Sequence, residues 1–171
     1  METHFLESQR LYFRKIKPDD FDIIASMLKD PQVMYAWEYN FTDKDVNDWI
    51  TINLERYKTY GLGYFIISDK FLKQPLGQAA LMPDIINNKL YYEIGYILKK
   101  EFWGKGYATE AAKTLLDYAK IKYPNQEYIL EIRPENLNSV KVANRLGAKI
   151  TGEFNKLVHG KIMKHLIYTL D

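Results

Sequence analysis

The chain has 171 residues, 47% of them hydrophobic and 27% charged, with a formal net charge of +2; that is the size and mixture of one globular domain with one sizeable core. Lysine and arginine alternate with acids and form no blocks, so no nucleic-acid surface is expected, and the absence of cysteine excludes disulfides, thiolate metal sites and a thiol nucleophile. The start METHFLESQRLYFRK lacks an apolar run behind a basic end, and no later stretch approaches the roughly 20 apolar residues of a bilayer span, so a cytoplasmic location without a membrane partner is expected.

Residues 10–16 alternate bulky apolar and basic side chains as a strand does, and Lys17-Pro18-Asp19-Asp20 supplies a turn and a helix start. Phe21, Ile24, Ala25 and Leu28 form the apolar face of a first helix that Pro31 ends. Residues 33–40 carry no clear period. Thr42 and Asp45 form a capping-box pattern, and Val46, Trp49, Ile50, Leu54 and Tyr57 make one helical stripe as far as Gly61. Residues 64–68, 76–82 and 90–98 predict an antiparallel meander.

From Tyr107 the period changes to that of a helix: Ala108, Ala111, Ala112, Leu115, Leu116 and Ala119, bounded by Pro124. Residues 128–132 predict a strand, 138–146 a short helix closed by Gly147, and the remainder a hairpin around His159-Gly160. The order is βααβββαβαββ. A meander with one β-helix-β crossover predicts a three-layer α+β domain over residues 1–171.

Chemistry concentrates where a strand feeds a helix through glycines, from Tyr91 to Glu110. A helix start leaves backbone N–H groups unpaired and carries partial positive charge, and Gly104 and Gly106 would let a diphosphate approach them without a Cβ in the way. The plainer reading is a tight turn. A Walker loop is excluded because Tyr107 follows Gly106 and no Ser or Thr follows Gly104-Lys105. A dinucleotide fold would place its glycine turn after the first strand of a parallel sheet, and here a meander precedes it. Only His4, His159 and His165 are present, with no H-E-x-x-H pair, so no metal site is expected.

Trp103-Gly104-Lys105-Gly106-Tyr107-Ala108 resembles the Q/R-x-x-G-x-G/A coenzyme A loop of the GNAT superfamily of N-acetyltransferases, with Trp103, Gly106 and Ala108 at the motif positions. Trp103 departs from the usual Gln or Arg. The form W-G-K-G-Y-A-T-E is similar to that of the Rim-type branch, which includes acetyltransferases for ribosomal-protein N-termini. Asn136 to Ala148 resembles the family's N-x-x-[AS] helix ending in glycine, although helix capping by Asn136 and Ser139 explains the same residues. The likeness covers nearly the whole chain and implies a GNAT-like α/β/α fold with a mixed, mostly antiparallel sheet.

It also implies direct transfer of acetyl from acetyl-coenzyme A to a primary amine: a peptide N-terminus, a polyamine or another small amine. Backbone N–H groups of Ile97 and Leu98 would hold pantetheine, and the stretch Lys99, Trp103, Gly104, Lys105, Gly106, Tyr107, Ala108 and Thr109, with Asn136 and Ser139, would bind the rest. Lys99, Lys100, Lys105, Lys141 and Arg145 could neutralise phosphates, Lys105 foremost. Strand alternation puts Glu93 on one face with Gly95 and Ile97, which makes it the candidate general base; its plainer reading is a solvated carboxylate. Many relatives carry a tyrosine where this chain has Ala143, which leaves Ser139 as the candidate acid. Tyr35, Trp37, Glu38 and Tyr39 offer aromatic walls and a carboxylate to a cationic acceptor, or else belong to the core. The branch admits a homodimer. Rival expectations are a catalytically silent acyl-coenzyme A-binding module and a module that binds NAD or ATP at 104–109.

Overall fold

The computed structural model describes residues 3–171. In chain order these form strands Leu6–Glu7 (β1) and Leu11–Lys15 (β2), helix Phe21–Leu28 (α1), a 3-10 turn at Tyr35–Trp37, and helix Asp43–Tyr60 (α2). The meander is Gly63–Asp69 (β3), Pro75–Ile86 (β4) and Lys89–Leu98 (β5), followed by helix Tyr107–Lys122 (α3). Strand Tyr128–Ile132 (β6), helix Leu137–Arg145 (α4) and the hairpin Lys149–Val158 (β7) and Lys161–Leu170 (β8) complete it. The expected order holds except for β1, whose two residues are too few to show a period.

Local chemistry explains the boundaries. Thr42 accepts from the Asp45 N–H and Asp45 accepts from the Thr42 N–H at 2.7 Å, closing the capping box that starts α2. Two tight hairpin turns use left-handed residue pairs, Asn87-Asn88 and His159-Gly160, the backbone that matches strand twist. Helix α1 stops at Leu28, short of Pro31, where the Val33 and Met34 N–H groups turn back to the Asp30 carbonyl.

The strands form one sheet in the order β1-β2-β3-β4-β5-β6-β8-β7. All neighbours are antiparallel except β5 and β6. Helices α3 and α4 cover one face, over a core that includes Phe13, Phe65, Leu81, Ile94, Leu115 and Leu130. Helices α1 and α2 cover the other, over Ile16, Met27, Val46, Ile66 and Ile97. Each such side chain contributes about 1.5–3 kcal/mol on burial, so sheet and helices hold together on both faces. No helix of the described residues is long and apolar enough to cross a membrane.

One irregularity positions everything that follows. The parallel strands β5 and β6 pair only at Tyr92↔Tyr128 and Glu93↔Ile129. Beyond Glu93, β5 stays paired to β4 as far as Leu98 while β6 stays with β8, so the sheet opens between them. Gly77 makes the surviving pairing close: a Cβ there would sit 2.3 Å from the Ile97 carbonyl oxygen and 2.8 Å from the Leu98 Cα.

Candidate active site

Strand alternation decides which backbone groups face the opening. The Tyr92 N–H points toward β6, where it donates to the Glu127 carbonyl at 2.9 Å. The N–H groups of Ile94, Tyr96 and Leu98 turn the same way; the Glu93↔Ile129 pairing takes the Ile94 N–H to the Ile129 carbonyl, and those of Tyr96 and Leu98 face the gap. The Ile97 carbonyl lies against Gly77 of β4, so the Ile97 backbone belongs to that ladder. This corrects the expectation for Ile97: Tyr96 and Leu98 supply the splayed donors, and Ile97 contributes its side chain. The gap opens into a cavity of about 1030 Å³ that runs from Gly106 and Thr109 at one end to Asp84, Glu93 and Glu131 at the other.

At the first end Gly104 and Gly106 have φ of 74° and 80°, the left-handed region that disfavours side chains. Gly106 caps α3 without a side chain, and the first helical bond runs from the Glu110 N–H to its carbonyl. The N–H groups of Tyr107, Ala108 and Thr109 thus lack intrahelical partners. Thr109 Oγ1 is also buried and has no hydrogen-bond partner, an orphan that an anion at this helix start would satisfy.

The turn is braced from behind. Glu110 accepts from Arg10 Nε at 2.6 Å, the Arg10 N–H at 2.8 Å and Ser8 Oγ at 2.7 Å. Arg10 also donates to the Lys105 carbonyl at 3.0 Å and lies over the Tyr107 ring. Burial pushes the Glu110 carboxyl up, but the bonds from Ser8 and Arg10 outweigh it and hold it below its ordinary value. Trp103 donates from Nε1 to the Leu98 carbonyl at 3.0 Å, tying the turn to the end of β5. Lys141 and Arg145 line the cavity; Lys99, Lys100 and Lys105 do not.

Asn136 caps α4, as the capping reading has it: its Oδ1 accepts from the Ser139 N–H at 3.3 Å and from the Tyr35 hydroxyl at 3.0 Å. Ala143 is fully buried. The sequence reading passed over Tyr96, whose hydroxyl donates to the Ser139 carbonyl at 3.2 Å and whose proton burial holds more firmly than usual. Both Tyr96 and Ser139 line the cavity.

At the far end, carboxylate oxygens of Asp84, Glu93 and Glu131 all lie within 4.8 Å of one another. Glu131 is the deepest: its side chain is 1% exposed, Lys156 Nζ stands 3.8 Å from its Oε1, and apart from the neighbouring carboxyls no group bonds either oxygen. Burial, then a hydrogen bond with Glu93 and the charge of Glu93, push Glu131 up to about 9. At neutral pH it holds a proton that it can share with a neighbouring carboxylate. Burial and the charge of Glu131 push Asp84 up to about 6. Burial works against the charge of Lys156, but Glu93, Glu131 and Asp84 outweigh it and raise its pKa. Glu93, the expected base, is thus one of three acids; the sequence reading missed Asp84 and Glu131.

Of the expected acceptor wall, Tyr35 and Trp37 line the cavity. Glu38 and Tyr39 do not. They line a separate small recess, Glu38 paired with Arg133 at 3.0 Å and Tyr39 stacked on His159 with its hydroxyl on Asp45.

Residues 10–149 match the acetyltransferase (GNAT) domain family. The chain belongs to that family. This GNAT chain is 32% identical over 155 residues to the uncharacterized N-acetyltransferase p20 of Bacillus licheniformis, with 89% of it and 85% of p20 covered. The GNAT acetyltransferase structure from Bacillus anthracis superposes with a TM-score of 0.78 at 23% identity, covering 96% of each chain. The ribosomal L7/L12 alpha-N-protein acetyltransferase RimL, in complex with coenzyme A, gives 0.72 at 17%, covering 95% of this chain and 94% of that one. The fold is therefore the GNAT fold, and Rim-type acetyltransferases are among its structural neighbours.

Proposed function

We propose that the chain, as one domain over residues 1–171, transfers acetyl from acetyl-coenzyme A directly to a primary amine while both substrates are bound. The observation that carries this reading is the continuity of one cavity: it joins the unpaired edge of β5 and the start of α3 to the carboxylates of Asp84, Glu93 and Glu131. The phosphates would rest on the N–H groups of the 106–109 turn and on Thr109 Oγ1, with Lys141 and Arg145 nearby. The pantetheine arm would follow the N–H groups of Tyr96 and Leu98.

Bound acetyl-coenzyme A supplies an activated thioester. The chain's own residues do the rest: gap-facing N–H groups polarise the thioester carbonyl, and Glu93 takes the amine's proton, directly or through a water. The new C–N bond replaces the C–S bond, and the departing sulfur takes its proton through the Ser139 hydroxyl, which recovers one from the proton that Glu93 removed, directly or through water, with the Tyr96 hydroxyl beside it as an alternative relay. Tyr35 and Trp37 wall the acceptor. Thiol release from acetyl-coenzyme A with a panel of primary amines tests the reading, and no release with any of them would overturn it. Ala143, where many relatives carry tyrosine, favours a second reading, an acyl-coenzyme A-binding module without turnover; such a module would bind coenzyme A in calorimetry and release no thiol.

A further inference from the structure

The acid cluster has an electrostatic shape that narrows the acceptor, provided that the acetyl-transfer reading holds. Three strands bring Asp84 (β4), Glu93 (β5) and Glu131 (β6) together. The cation that acts on them is Lys156 of β7, and Arg56 of α2 acts on Lys156 and Tyr64 in turn. Tyr64 of β3 keeps its proton, since burial raises it, and burial lowers His165 of β8 toward the neutral ring. Arg133 is committed elsewhere, to Glu38 at 3.0 Å and Glu135 at 3.5 Å. One cation against three carboxylates leaves a formal charge of −2.

Glu131 is the independent sign that this deficit faces a ligand. Its side chain is 1% exposed, it aims into the cavity, and only the neighbouring carboxyls, no N–H or hydroxyl of another residue, hydrogen-bond its oxygens. A buried carboxyl in that position requires a positive partner or a proton. The proton that burial keeps on Glu131 meets one of those two charges, and a ligand ammonium would meet the other. A zwitterion cannot close the deficit: its ammonium adds one charge and its carboxylate removes it again, beside acids that already repel it.

We propose that the Asp84–Glu93–Glu131 cluster recognises the acceptor's ammonium and selects primary amines whose neighbouring carbon bears no carboxylate. Simple alkyl or arylalkyl amines and polypeptide N-termini meet that requirement; free α-amino acids do not.

Matched pairs test this: agmatine with arginine, cadaverine with lysine, tyramine with tyrosine, and a short peptide amide with a free N-terminus to separate the two sources of ammonium. Each is assayed for thiol release and, independently of turnover, for binding by calorimetry in the presence of coenzyme A. Each amine that is used should exceed its carboxylated partner about tenfold or more in kcat/KM, the order expected of one like-charge contact in a partly buried site. Asp84→Asn and Glu131→Gln, both nearly isosteric, should each shrink that ratio several-fold while leaving the Kd for coenzyme A unchanged.

Equal use of amine and amino acid by the parent would overturn the proposal, as would a preference that survives both variants. Micromolar binding of Mn²⁺ by the parent, lost in Glu131→Gln, would also overturn it by making the cluster a metal site. Absence of thiol release throughout would instead count against acetyl transfer itself, and the calorimetric pairs would still decide the selectivity.

Discussion

The two ends of the cavity are built on opposite electrostatic plans. At the α3 end the unpaired groups are donors without acceptors, the Tyr107 to Thr109 N–H groups and Thr109 Oγ1, and the nearby carboxylates are engaged, Glu110 by Arg10 and Ser8 and Asp69 by the Tyr107 hydroxyl. At the β4–β6 end the groups are carboxyls that bond only one another, and the nearest lysine stays 3.8 Å from Glu131. The first end is a set of unpaired donors held in place by its own bracing, the form that the proposed anion site requires. The second is held by the sheet in spite of its charges, and stability should be most sensitive to pH there.

The strongest test of this contrast is Glu93→Gln, which should lower kcat by about 10²-fold or more while coenzyme A binding stays the same; a parental rate at every pH would remove Glu93 as the base. Next comes Glu131→Gln. Because the folded carboxyl sits at about 9 against 4.5 for the free group, the native state binds the extra proton between those values. Its contribution is therefore whole below about pH 4.5 and is lost as pH rises toward 9. The variant should be more stable than the parent, by a margin that widens by up to about 1.4 kcal/mol for each pH unit between 6 and 9, read from urea unfolding at each pH. A constant margin would mean that Glu131 is not the proton holder.

Arg10→Ala probes the other end. It removes the brace of the glycine turn, and the Kd for coenzyme A should rise about tenfold, the weight of a charge-assisted hydrogen bond, with kcat little changed. A change confined to kcat would separate the brace from the cradle. The smallest effect should come from Ser139→Ala. Turnover should fall a few-fold and more than acetyl-coenzyme A binding does, because the Tyr96 hydroxyl remains beside it; adding Tyr96→Phe should then deepen the loss. Unchanged turnover in the double variant would remove both from the acid role.

The same contrast explains what the sequence could reveal. The glycine turn is local: left-handed backbone at 104 and 106 requires glycine, and the helix that follows announces itself by period. Asn136 likewise caps a helix that starts one residue later. The acid cluster is not local. Asp84 pairs with Tyr91 and Glu93 with Met82, so the two acids meet only diagonally across the β4–β5 ladder, and Glu131 arrives from a parallel strand beyond α3. Read along the chain, each is one polar residue in a strand, and nothing in its neighbours marks it. Ile97 was misjudged for a related reason: the direction of its N–H depends on which neighbour its strand keeps. Glu38 and Tyr39 sit in an unperiodic segment whose 3-10 turn and left-handed Glu38 swing them into a different recess from Trp37.

The gap beside β5 can also be seen as a strand position left out of the middle of a sheet. Between Ile94 and Leu98 the chain presents on alternate residues the Ile94 and Tyr96 carbonyls and the Tyr96 and Leu98 N–H groups, at the two-residue spacing of a β-ladder, roughly 6.6 Å, walled by Tyr96 and Ser139. An occupant that satisfies this row has to be extended, about one chain thick and supplied with amides, which is the description of a short peptide. The pantetheine arm, with its two amide bonds, meets it without being one. Binding there would complete a sheet, and the strength of the grip would scale with how many of those main-chain groups the guest can pair.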